Sequence, residues 1–206
     1  MDVLAVYERP YDPKKPVVCL DEKSKQLLED ARKTLGTQPG QVRKRDYEYI
    51  RHGTINCFVA VEPKGKKRFV PVRKYKKKRD FAFVIRYLLT GPYKDVETLV
   101  LVVDNLNTHN VSALIETFGE EEGRKLNERI EWHYTPKHGS WLDQAEIEIA
   151  VLSKQCLKQA IPTFQKMQHE VACWVKDRNA KEKGINWKFT REKAIEKFNL
   201  DYPSYL

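Results

Sequence analysis

LVLVVDN, residues 99–105, sets five unbroken apolar residues in front of an aspartate. A run with apolar side chains on both faces of its pleat reads as a strand covered on both sides, as in the interior of an α/β sheet. Open sheets of that class present their ligands at the C-terminal ends of strands, which is where Asp104 stands. VVCLDEK, residues 17–23, repeats the pattern and ends its apolar run on Asp21. If the two strands are neighbours, two carboxylates meet and repel unless a hard cation neutralises them. Mg²⁺ prefers carboxylate oxygens together with water and substrate phosphate oxygens. Either aspartate alone reads equally well as a cap for the loop or helix that follows.

Working outward, INCFVAVEP (55–63) and RFVPVRKY (68–75) are β-branched and aromatic segments joined through a Lys-Gly-Lys-Lys turn, so with VVCLDEK they predict three antiparallel strands, the last two a hairpin. Pro71 cannot donate a ladder hydrogen bond and pushes its strand to a sheet edge or a bulge. Phe81, Val84, Ile85 and Leu88 trace one helix face, closed by Gly91-Pro92. Val111, Leu114, Ile115 and Phe118 trace another, IEWHYTP (130–136) reads as a strand, and a long helix is expected from Trp141 to Gln159. Helical patches follow around Val171 to Val175 and Ala194 to Phe198. Residues 1–16, with three prolines and many charges, read as an extended lead-in, a linker or the end of a missing N-terminal region. The expected organisation is therefore an α/β domain over 17–160, a mixed sheet with flanking helices, carrying a helical extension over 161–206.

Composition narrows the function classes. With 206 residues, 41% hydrophobic and 33% charged, the chain can bury one core and is neither disordered nor a membrane protein by composition. The net charge of +9 favours polyanionic partners such as nucleic acid. Cys19, Cys57, Cys156 and Cys173 lack metal-ligand spacing and read as reduced core thiols. With no signal peptide and no apolar span of membrane length, a cytoplasmic chain is expected.

Three further groups bear on chemistry. On the helix after Trp141, the apolar stripe Leu142, Ala145, Ile149, Leu152 and Cys156 is flanked by Glu146 on one edge and Glu148 on the other. A third acid for the site is expected from this helix, and periodicity cannot choose between them. His109, His138 and Ser140 lie near the acids in sequence. They could orient water or touch a phosphate, or serve as helix cap and turn residues. Trp141 reads as core, with base stacking as the alternative. Finally, Lys64, Lys66, Lys67, Arg68, Arg73, Lys74, Lys76, Lys77, Lys78 and Arg79 follow one another without an acid. They suggest a phosphate track that positions DNA without reading it, the alternative being a solvated edge guarded by lysines.

VVDNLNTH (102–109) and TPKHGSWLDQAEIEIAVL (135–152), behind a first acid in VVCLDEK, closely resemble the DDE transposases of bacterial insertion sequences in the mariner superfamily. The resemblance extends to DYEYIRHGTINCFVAVEP (46–63) and INWKFTREKA (185–194), and covers nearly the whole chain from about Pro10. It implies a ribonuclease H-like fold and a catalytic, metal-binding triad of Asp21, Asp104 and Glu146. The third member follows the family pattern of Leu, a polar residue, two more residues and Glu. Two Mg²⁺ ions are implied, with Mn²⁺ able to substitute, one activating the attacking oxygen and the other stabilising the departing one. The implied reactions are hydrolysis at the ends of a mobile element and transfer of the freed 3′ hydroxyl into target DNA. The implied partners are element ends, target DNA and a second copy of the chain. Family members carry helix-turn-helix modules ahead of this domain, so a fragment, a second reading frame or a decayed copy is expected. Competing expectations are a ribonuclease H-like nuclease without transposition, a catalytically silent DNA-binding remnant, and an α/β hydrolase of small phosphoesters.

Overall fold

The computed structural model describes residues 2–32, 40, 48–137 and 139–198. A short helix, α1 (Asp2–Glu8), precedes strands β1 (Val17–Asp30), β2 (Tyr49–Glu62), β3 (Lys67–Phe69) and β4 (Val72–Arg73). Helix α2 (Lys78–Thr90) leads to β5 (Leu99–Val103), and α3 (Val111–Phe118) and α4 (Glu120–Asn127) lead to β6 (Ile130–Tyr134). Helices α5 (Ala145–Gln155), α6 (Phe164–Ala180) and α7 (Arg191–Phe198) follow.

The strands form one mixed sheet in the order β3-β2-β1-β5-β6, with β4 also on β2. β1 is antiparallel to β2 and parallel to β5, and β5 is parallel to β6. This is the α/β mixed sheet with flanking helices that the apolar runs predict. The register places the site: Val17 pairs with Val100 and Leu20 with Val103, so Asp21 and Asp104 are each the residue after the last pair of two adjacent strands.

The pleat divides the sheet into two covered faces. Val18, Leu20, Phe58, Ala60, Leu99, Leu101 and Val103 pack with α2 and α3. Cys19, Val61, Val100 and Val102 pack with α1, Leu142, Ala145 and Ala194, while Cys57 and Val59 meet the far end of α5 and α6. All five residues of β5 are buried, as expected for an inner strand. Asn110 caps α3 by accepting the Ala113 N–H, and Thr163 caps α6 by accepting the Lys166 N–H. Among the described residues no helix is long and apolar enough to cross a membrane.

Several expectations need correction. The lead-in is not wholly extended: Asp2–Glu8 is helical, because Val3, Leu4, Val6 and Tyr7 form an apolar face buried against the sheet. β1 and β2 run much further than their apolar cores. Beyond Asp21 they continue as a two-stranded ribbon whose polar residues alternate no hydrophobic signal, shifted in register between Gln26 and Leu28. The third run breaks into β3 and β4 at Pro71, whose carbonyl accepts the Phe58 N–H in place of a continuous ladder. The helix expected over 141–159 is a 3₁₀ turn (Ser140–Leu142) followed by the shorter α5. Asp143 is extended there and accepts the Ala145 N–H, which restarts the helix. Cys173 is exposed on α6, not in the core as the other three cysteines are.

Candidate active site

Asp21, within β1, and Asp104, just after β5, stand at the level where the parallel pairing of the two strands stops. Burial pushes the Asp21 carboxyl up to about 6, and the charges of Glu22, Asp104 and Glu146 push the same way, partly offset by the Glu22 N–H that Asp21 Oδ1 accepts at 2.6 Å. Asp104 is held below the usual carboxylate range, chiefly by its hydrogen bond to His109.

His109 is fully buried against the Phe81 ring, 4.5 Å between centroids. Its Nδ1 is 2.6 Å from Asp104 Oδ1 and its Nε2 is 2.6 Å from Glu22 Oε1. Burial lowers its pKa, but the two carboxylates outweigh it and raise the imidazole to about 9. His109 is therefore a charged bridge that orients Asp104, and the cap of the next helix is Asn110 instead. Glu22 is a site residue that sequence reasoning missed. As the neighbour of Asp21 in a strand it points to the opposite face of the pleat, so no periodicity connects it to the first acid.

A fourth carboxylate, also missed, closes the other side. Asp143 is 1% exposed, and burial pushes it well above its ordinary range, with Asp21, Asp104 and Glu146 adding repulsion. One oxygen accepts the Ala145 N–H and the other has no hydrogen-bond partner. The signal that could have found it is an Asp two residues ahead of the helix, where a carboxylate can accept a first-turn N–H, as Asp143 does from Ala145.

The two glutamates of α5 have different environments. Glu148 is 1% exposed and paired on both oxygens. Arg68 Nε donates to Oε1 at 2.8 Å, and Arg178 Nε donates to the same oxygen at 3.0 Å. Glu146 is half-buried and its charge acts on Asp21 and Asp143. Among the described residues no three His, Cys, Asp or Glu side chains converge closely enough to hold a metal ion. The chemistry of the donors nonetheless fits a hard divalent cation. Asp21, Asp104 and Glu146 offer only carboxylate oxygens, repel one another, and stand beside an unpartnered oxygen of Asp143.

This arrangement of acids on adjacent parallel strands and a following helix coincides with a family match over residues 16–168, to the model described as DDE superfamily endonuclease. The chain belongs to the DDE superfamily endonucleases. Its fold is that of the Mos1 mariner paired end complex with Mn, at a TM-score of 0.54 and 16% identity over 87% of this chain and 54% of that one. The Mos1 strand transfer complex is similar at a TM-score of 0.52 and 15% identity, over 90% of this chain and 59% of that one. The chain thus spans just over half the length of these relatives, and they identify the sheet as ribonuclease H-like. A comparison with curated proteins yields no match.

In this DDE endonuclease fold the remaining expected residues separate. Ser140 is exposed in the 3₁₀ turn, where its carbonyl accepts the Asp143 N–H. His138 lies outside the described residues. Trp141 is not core: it is 44% exposed, edge-on to Phe189 at 5.1 Å. Arg68 cannot belong to a phosphate track, because it is fully buried on Glu148 and on the carbonyls of Lys66 and Lys183.

The rest of that track divides in two. Arg73 pairs with Asn56, beyond the level of Asp21 along the ribbon, and from there Lys74, Lys76, Lys77 and Arg79 are exposed, with Lys78 half-buried on Glu116. The charge of Lys76 acts on Asp104. Arg73 is partly committed to Asp80 at 3.3 Å. Lys64 and Lys66 lie in the turn that follows β2 and Lys67 opens β3, three residues along β2 from the level of Asp21 in the opposite direction.

Proposed function

We propose that this endonuclease is the catalytic domain of a transposase from a bacterial insertion sequence of the mariner superfamily, working in the cytoplasm. Residues 17–160 would form its ribonuclease H-like body and 161–206 a C-terminal extension of the same domain. Asp21, Asp104 and Glu146 hold the divalent metal, two Mg²⁺ ions with Mn²⁺ able to replace them. Bound metal supplies a lowered pKa for the attacking hydroxyl and stabilisation of the departing oxygen. The observation that carries this reading is the register of β1 and β5, which sets two aspartates level where their parallel pairing stops, with the charge of Glu146 on α5 acting on Asp21. His109 orients Asp104 and keeps its carboxylate ionised.

The substrate is DNA, cut at element ends and joined through the freed 3′ hydroxyl to a target, by a homodimer that holds two ends together. Support comes from the net charge of +9 and from the basic cluster beside the acids, and from relatives solved as paired-end and strand-transfer complexes. The test uses supercoiled plasmid and a labelled duplex with a free 3′ hydroxyl, with Mg²⁺. The expected products are nicked plasmid and label covalently joined to plasmid. Nicking without joined label would leave a nuclease that does not transpose, and neither product would remove the catalytic reading.

The division of the basic segment carries its own expectation. Reversing Lys76 and Lys77 to glutamate should weaken duplex binding and flatten the slope of log affinity against log salt by about 0.9 for each phosphate no longer neutralised. The same reversal at Lys64 and Lys67 should change the slope much less. Fluorescence anisotropy across a salt series measures both, and equal effects at the two ends would show that the cluster near Asp104 has no special share in holding DNA.

A further inference from the structure

Glu22 is a carboxylate in a place that repels it. It follows Asp21 in β1, and its charge acts on Asp21 together with those of Asp104 and Glu146. Its side chain is only 5% exposed. A buried charge costs stability unless it is paired. Among the described residues the one side chain that pairs with this carboxylate is His109, whose Nε2 is 2.6 Å from Oε1.

The pleat explains how the two meet. Glu22 pairs across the sheet with Phe58, on the face that α2 and α3 cover, whereas Asp21 pairs with Val59 on the other face. His109 comes from the loop between β5 and α3 and lies against the Phe81 ring on the Glu22 side. The imidazole is wholly buried, so neither nitrogen can turn to solvent. Ionised carboxylates only accept hydrogen bonds, so both ring nitrogens donate, one to Glu22 and one to Asp104, each at 2.6 Å. Held at both nitrogens and stacked on a ring, the imidazole is fixed in orientation.

Asp104 receives the effect. Both of its hydrogen bonds fall on Oδ1, from His109 at 2.6 Å and from the Leu106 N–H at 3.2 Å. Among the described residues Oδ2 has no hydrogen-bond partner, and it is not shut away from solvent. A pair that served stability alone would end at His109. This one continues to a carboxylate with one oxygen tied and the other untied.

We propose that Glu22 is a positioning residue of the metal site, holding His109 so that Asp104 is tied through one oxygen and keeps the other for a divalent ion. The proposal rests on the reading that Asp104 is a metal ligand. It accounts for an acid kept where its charge is unfavourable. Residues that fix a ligand in this way typically contribute roughly 10–100-fold to metal affinity.

The test titrates Mn²⁺ into the full chain without DNA and follows the electron paramagnetic resonance signal of the free ion, on proteins whose urea midpoints show them to be folded. Glu22→Leu should weaken Mn²⁺ binding at least about tenfold. Glu22→Gln removes the same charge but still gives Nε2 a hydrogen-bonding partner, and should keep most of the parent affinity. Glu22→Leu combined with His109→Leu should bind Mn²⁺ no more weakly than His109→Leu alone, because Glu22 acts only through the imidazole. A Glu22→Gln protein that loses as much as Glu22→Leu overturns the proposal, since a charge acting through space needs no imidazole. Losses that add in the double variant overturn it too. The imidazole also reports without metal. In proton–nitrogen correlation spectra the His109 Nδ1 proton, assigned by its absence in His109→Leu, should be sharp in the parent and lost to exchange in Glu22→Leu. A parent chain that shows this proton and binds no Mn²⁺ would sink the metal reading and keep the bridge. Mn²⁺ binding that Glu22→Leu leaves at the parent affinity would do the reverse.

Discussion

Asp21→Asn should lower Mg²⁺-dependent nicking of DNA by at least about 10³-fold, which is about 4 kcal/mol of transition-state stabilisation at 1.36 kcal/mol per factor of ten. The substitution keeps the size of the side chain and removes one of the charges proposed to hold the metal. Its effect on folding should be small, since burial already disfavours the charged carboxyl in the metal-free protein. DNA affinity without metal should hold or rise slightly, because a negative charge has left a surface that meets phosphates. A nicking assay beside an anisotropy titration separates these effects. Near-normal nicking by the Asn protein would remove Asp21 from the site, whereas a parallel loss of binding and nicking would make it a DNA-binding residue.

Glu148→Gln should do the opposite, costing about 3–5 kcal/mol of folding stability. Arg68 is wholly buried and its guanidinium depends on this carboxylate, while Arg178 reaches the same oxygen from α6. Without the charge, a buried guanidinium faces a neutral amide that can return only part of the interaction. The pair also joins three elements, since Arg68 is in β3, Glu148 in α5 and Arg178 in α6, and Asn179 adds bonds to the Arg68 backbone at 2.9 and 3.0 Å. Urea denaturation measures the loss. A cost below about 1 kcal/mol would mean that the cluster is no stronger than an exposed ion pair.

The sheet was legible wherever apolar runs were long. LVLVV read as an inner strand and the shorter run ending at Asp21 had the same form, but that the two are neighbours is given by the fold, in the parallel pairing of β1 with β5. The ribbon beyond Asp21 was not legible, because a strand pair with polar residues on both sides has no hydrophobic period. Helix α1 escaped for a related reason: its four buried residues stand ahead of a proline-rich and charged stretch that dominates the reading.

In the site, strand ends proposed Asp21 and Asp104, while periodicity left Glu146 and Glu148 level. What distinguishes the glutamates lies far away in sequence. Arg68 and Arg178 are 80 and 30 residues from Glu148, and Arg68 itself sits in a basic run whose other members are mostly exposed. A charge pattern does not reveal which arginine turns inward. Glu22 and Asp143 were hidden by the company they keep, one masked by the aspartate before it and the other looking like an ordinary cap. His109 was noticed beside Asp104, but its second partner comes from another strand, and only the fold brings the two carboxylates to its opposite nitrogens.

The most direct test of the metal-holding triad is therefore the nicking rate of Glu146→Gln on supercoiled plasmid with Mg²⁺, measured on protein whose urea midpoint matches that of the parent chain. A fall of at least about 10³-fold with folding intact is the expected result. A Glu146→Gln protein that nicks DNA at the parent rate would contradict the assignment.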